Sequence, residues 1–137
     1  MIYYYLTFFV ILLLLIAYKY NSTLKIHHFY GKISKNDEEL RDGLMHRKEK
    51  LGNNTGMLFP MKKQINSMWM KNTYIPLDII FLDEKKRVVG YFIDAEPLSE
   101  KSLTIDKPSS YVLEMNGNSV FDLNIRIGDI ILYIEGR

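Results

Sequence analysis

Met68-Trp-Met-Lys-Asn-Thr-Tyr-Ile-Pro-Leu-Asp-Ile-Ile-Phe-Leu-Asp83 holds the only tryptophan of the chain, a polar group at Lys71-Asn72-Thr73 and one aspartate, Asp78, inside an apolar run. Its period is two. Met68 and Met70 face one way and Trp69 the other, the polar triplet turns the chain, and Pro76 fits the first residues of the strand that follows. Polar residues among strand formers must find partners or serve a purpose. Immediately downstream, residues 77–82 and 87–93 flank Asp83-Glu-Lys-Lys86, the pattern of a β-hairpin.

The same alternation extends outward in both directions. Upstream lie predicted strands at 24–30, 57–59 and 67–70, with a short helix over 34–42. Asn36 is placed to cap that helix with Glu39 reaching back, and Gly43 stops it with Leu44 folding over as the apolar contact. Downstream, residues 95–109 carry Pro97 and Pro108 and read as a long exposed loop. A strand at 110–115 follows, then a helix from Ser119 to about residue 123, a turn at Gly128-Asp129 and a closing strand at 130–134. These elements predict an α+β fold: a compact, mainly antiparallel β domain with two short helices.

The chain has 137 residues, 18 basic and 16 acidic groups, a net charge of +2 and no cysteine. Without cysteine there are no disulfides, thiolate nucleophiles or cysteine-based zinc sites. The basic residues come in short pieces with acids between them, which argues against nucleic acid as a partner. Met1 to Tyr18 contains no charged side chain and no histidine. As a helix it would be about 27 Å long, close to the hydrocarbon thickness of a bilayer, with tyrosines at both ends. The expectation is therefore an N-terminal transmembrane helix. Residues 1–19 form an anchor or uncleaved signal and residues 20–137 one globular domain, a single-pass protein whose partner through residues 1–18 is the membrane. Lys19, Lys25, Lys32 and Lys35 favour a cytoplasmic domain, but long domains translocate largely regardless of charge.

No catalytic signature is present. His27 and His28 are adjacent and would point to opposite faces of a strand, so they suit no shared metal. Met45, Met57, Met61, Met68 and Met70 lie within 26 residues. Thioethers can bind Cu(I), but methionine is more often adaptable core filler. No metal and no cofactor are expected.

The run Arg41-Asp-Gly-Leu-Met45, then Arg47, Gly56-Met-Leu-Phe59, Trp69-Met-Lys-Asn-Thr73 and Pro76-Leu-Asp-Ile-Ile-Phe81 resembles the domain-of-unknown-function family 192. The likeness continues through Tyr111-Val-Leu-Glu-Met-Asn116 and Ile127-Gly-Asp129, covering roughly residues 24 to 134. It implies a small bacterial or archaeal domain with a β-rich α+β fold and no established activity. Relatives often follow a signal peptide or anchor, which tips the expected placement toward an extracytoplasmic domain. The chain departs from the pattern at Asp42, where many relatives carry Arg or Gln, and in lacking cysteines between Ala95 and Ser109.

The candidate site residues are Arg47, Trp69, Lys71, Asn72, Thr73 and Asp78. In one reading Trp69 is an apolar platform, Arg47 and Lys71 are cationic donors, and Asn72, Thr73 and Asp78 complete a site for a small polar ligand. In the other, Asn72 and Thr73 satisfy a turn, Asp78 accepts from nearby amides and Trp69 is core. The expected function is a non-enzymatic binding module for a small polar ligand or envelope component. The alternative is a hydrolase acting on a cell-envelope substrate, with Asp78 as general base and Lys71 as electrostatic stabiliser.

Overall fold

The computed structural model describes residues 1–20 and 24–136. In chain order its elements are α1 (Ile2–Tyr20), β1 (Ile26–Ile33), α2 (Asp37–Asp42), β2 (Thr55–Gln64), β3 (Ser67–Met68) and β4 (Leu77–Leu82). They continue with β5 (Val88–Ala95), β6 (Leu103–Thr104), β7 (Ser109–Asn116), α3 (Ser119–Asp122) and β8 (Ile130–Glu135). Six strands form one sheet in the order β5-β4-β7-β2-β1-β8, and β3 pairs separately with β6.

Two expectations about the fold are corrected. The sheet is mixed rather than mainly antiparallel, because β1 runs parallel to both of its neighbours, with Gly31 opposite Gly56 on β2 and Ile26 opposite Ile130 on β8. Alternation in the sequence reports which face a side chain takes, not the direction of the strand beside it. The parallel β1–β2 pair needs a crossover, and α2 with its following loop supplies it. The sheet also curls until its edges meet. Arg87, at the entry to β5, bridges Ile130 at the start of β8, and Ile131 N–H donates to the Lys86 carbonyl at 2.9 Å. Val88 N–H donates to the Asp129 carbonyl at 2.8 Å. The result is a half-barrel joined at one end.

The second correction concerns α1. No helix among the described residues is long and apolar enough to cross a membrane. The expected membrane span, the single-pass membrane placement and the extracytoplasmic position that followed from it are withdrawn. Residues 21–23, between the expected anchor and the first predicted strand, lie outside the described residues.

Other local expectations meet the structure in detail. Asn36 accepts from Glu39 N–H at 2.8 Å, while the Glu39 carboxylate takes the Lys35 amide rather than that of Asn36. Gly43 ends α2 at φ 48°, its N–H on the Glu39 carbonyl. The loop at 95–109 contains β6, which the sequence reading missed: Leu103 sits opposite Met68.

The sheet buries both of its faces. Phe29, Leu58, Ile80, Leu82, Leu113 and Ile131 fill the concave side, with Val120 of α3 among them. Met57, Phe59, Leu77, Ile79, Phe81 and Val112 form the opposite face, covered by Met70, Ile75, Leu40 and Leu44. Every residue of β4 is therefore buried, including Asp78 at 0% exposure. Its carboxylate is held by three backbone amides. Oδ1 accepts from Asp94 N–H at 2.8 Å and Asn118 N–H at 2.9 Å, and Oδ2 accepts from Val120 N–H at 2.7 Å. Asn118, the N-cap of α3, makes no side-chain cap, so an aspartate from a distant strand does that work. Asp129 plays the matching part near the joined edges, accepting from Lys25 N–H, Arg126 N–H and the His27 ring.

Replacing Asp78 by Ala leaves three inward amides without their acceptor. The Asp78→Ala variant is expected to lose about 3 kcal/mol of unfolding free energy. Urea unfolding with an unchanged slope checks this; an unshifted midpoint would show that the carboxylate does not hold α3.

Candidate functional site

β7 places Glu114 between Met57 of β2 and Ile79 of β4, on the face that carries Phe59 and Val112. An alternating strand would ordinarily turn such a residue to water. Here α2 and the segment after it fold across this face, leaving Glu114 5% exposed. Burial pushes its carboxyl up to about 8, with only the Leu44 backbone amide pulling the other way. Its Oε2 is the one buried side-chain polar atom without a hydrogen-bond partner among the described residues.

Glu114 lines a pocket of about 230 Å³ together with Leu44, Met45, Met61, Met68, Trp69 and Thr73. Gly43 keeps it open. A Cβ at this position would lie 3.3 Å from Glu114 Oε2 and 3.3 Å from Phe59 Cζ, at a φ that L residues rarely adopt. Arg41 and Asp42, also on the pocket wall, engage each other at 2.9 Å.

Trp69 is 41% exposed and stands at the mouth. It also lines an adjoining depression of about 310 Å³ with His46, Lys71 and Asn72. Met70 is fully buried on the core side while the indole points out, but Met68 lines the pocket with Trp69, so the expected separation of the indole from both thioethers holds for Met70 alone. The Lys71 ammonium lies 5.1 Å from the indole centroid and 3.4 Å from the Glu100 carboxylate. Asn72 adopts φ 53° and its carbonyl accepts from His46 N–H at 2.7 Å, which fixes the rim. Thr73 is buried, its hydroxyl donating to the Lys71 carbonyl at 3.2 Å.

Trp69 and Thr73 thus line the first pocket, and Trp69, Lys71 and Asn72 line the adjoining depression. Arg47 and Asp78 lie elsewhere. Arg47 is exposed and donates to the Glu49 carbonyl. Asp78 faces the concave side of the sheet beneath α3, its oxygens occupied by amides. Its carboxyl is pushed up by burial while the amides of Val120, Asp94 and Asn118 pull it down. Glu114 is the functional candidate that sequence reasoning missed. The signal available was a lone carboxylate in the strand Tyr111-Val-Leu-Glu-Met-Asn116, which reads as a solvent-facing position until both faces are known to be covered. Among the described residues no three potential metal-ligating His, Asp or Glu side chains cluster.

Comparison with known proteins gives the setting. The family model DUF192, described as "Uncharacterized ACR", matches residues 19–133. The chain is similar to the crystal structure of a protein of unknown function from Novosphingobium aromaticivorans DSM 12444, at 38% identity and TM-score 0.69, covering 73% of this chain and 71% of that one. It is also similar to a proposed transcription regulator from Sinorhizobium meliloti 1021, at 31% identity and TM-score 0.67, covering 77% and 78%. No curated protein matches.

The Glu114 environment has a direct consequence for stability. Below the ordinary carboxyl value of 4.5 both folded and unfolded chains hold the proton; between there and about 8 only the folded chain does. Stability therefore falls as pH rises through that window, by at most about 1.4 kcal/mol per unit, and levels above it. Denaturant midpoints of the wild type and Glu114→Gln should diverge from pH 5 to pH 8, with the wild type losing ground. Parallel curves would mean the carboxyl titrates as if exposed.

Proposed function

This chain belongs to the DUF192 family, and from that premise we propose that it is a non-enzymatic binding module for a small polar ligand, taken between the Gly43–Met45 segment and Trp69. One observation carries this reading: the partnerless Oε2 of Glu114, a residue that is buried and yet lines a pocket. An unsatisfied buried carboxyl oxygen is destabilising by roughly 1–3 kcal/mol, and a ligand donor that reaches it removes that penalty on binding. The lining is mixed: Leu40, Leu44, the methionines and Trp69 give apolar and thioether surface, while Arg41, Asp42, Ser67, Thr73 and Glu114 give polar groups. Such a lining gives binding surface from the apolar groups and orientation from the polar ones.

The hydrolase alternative gains nothing from Asp78. A general base must reach the proton it abstracts, and this carboxylate is filled by three amides on the face of the sheet away from Trp69. The envelope setting rested on the membrane span and goes with it.

A thermal-shift screen of the full chain against a panel of small polar metabolites tests the reading. A compound at one hundred times its Kd should stabilise the fold by about 2.7 kcal/mol, a rise of several degrees in Tm. Trp69→Ala should keep the fold and lose that shift. If every stabilising compound acts equally on Trp69→Ala, or none stabilises the wild type, the pocket is not a binding site.

A further inference from the structure

We propose that the ligand of this pocket is a small organic ammonium, whose N–H donors meet the Glu114 carboxylate while its hydrocarbon part lies against Trp69 and the methionines. The inference rests on the binding reading above and specifies its chemistry.

Four features point the same way. Glu114, which lines the pocket, has an Oε2 without any hydrogen-bond partner, and once the carboxyl is ionised the complement it lacks is a donor, best supplied by a cation. Among the described residues Arg41 is the one basic side chain lining the pocket, and Asp42, bonded to its Nε, offsets its charge, so with Glu114 ionised the lining carries more negative than positive charge. Met45, Met61 and Met68 present polarizable thioethers, and Trp69 presents the ring that attracts cations most strongly. That attraction is already visible in the fold, where the Lys71 ammonium sits 5.1 Å from the same indole. The volume, about 230 Å³, holds a molecule of roughly eight heavy atoms at ~30 Å³ apiece.

Binding of a cation here is coupled to proton release. The titratable and charged groups around the pocket are Arg41 and Asp42 at the end of α2, His46 after it, Lys71 beyond Trp69, and Glu100 opposite Lys71. Arg41 is paired with Asp42 and Lys71 with Glu100, which leaves Glu114 as the acid without a partner to neutralise it. An incoming ammonium displaces the carboxyl proton to solvent and takes its place.

The test is calorimetric titration of the full chain with benzylammonium, benzyl alcohol and benzoate from pH 6 to pH 9. Benzylammonium should bind best, its affinity rising by up to tenfold per pH unit and levelling near pH 8, with a proton released on binding. Glu114→Gln should abolish both the pH dependence and the preference over benzyl alcohol, while Trp69→Ala weakens all three probes. Benzyl alcohol or benzoate binding as tightly as the amine overturns the inference, as does benzylammonium affinity that falls between pH 6 and pH 8. So does failure of all three probes to bind. None of these results touches the broader binding reading, which stands or falls on the metabolite screen with Trp69→Ala.

Discussion

A sheet buried on both faces has no neutral place for a carboxylate, and that constraint organises this molecule. β4 and β7 are adjacent inner strands, and each carries one acid. Asp78 and Glu114 are near neighbours across the pair, since Asp78 is opposite Met115 and Ile79 opposite Glu114. They point to opposite faces. On the concave face, three amides from β5 and the α3 turn converge on Asp78, and the carboxylate becomes the tie that holds those elements together. On the other face Glu114 meets apolar side chains and keeps one oxygen without a partner. The same chemical problem has been solved in one place and left open in the other, and the open one lies beside the pocket.

This contrast also explains the shape of the rim. Gly43 is required twice: its left-handed φ ends α2, and its lack of a side chain leaves room over Glu114. The polar turn at Lys71-Asn72-Thr73 holds the far wall through the His46 amide and keeps the indole outward. Neither wall belongs to the six-stranded sheet. Both are segments laid across it, so the site is formed by the cover of the domain over its scaffold.

Much of this was legible in the sequence, and the gaps have physical causes. Local signals worked: the cap at Asn36, the stop at Gly43, the hairpin at 83–86 and the outward indole of Trp69 beside buried Met70 all depend on neighbouring residues. Met68, expected on the face away from Trp69, instead lines the same pocket as the indole. Long-range facts did not show. Nothing in residues 26–33 announces two parallel neighbours, and a two-residue strand such as β6 is too short to display a period. The candidate site was half visible. The turn stood out because its polar residues interrupt an apolar run, whereas Glu114 hid because alternation alone assigns it to solvent. Asp78 drew attention for a sound reason, an acid in an apolar strand, yet its partners come from 16, 40 and 42 residues away.

The position of β1 between β2 and β8 has a consequence for how the chain acquires its structure. Lys25 and Asp129, 104 residues apart, meet beside this pairing, so the strand nearest the N-terminus obtains its second neighbour only when the last strand has been made. On a ribosome, β1 would emerge with an unpaired edge and keep it until residues 130–135 have been made. Contacts of such long sequence separation slow folding and lengthen exposure to wrong pairing. Joining the two ends of the chain at one seam makes assembly all-or-none: a nascent chain stopped before residue 130 would carry most of its core and still lack the strand that finishes it.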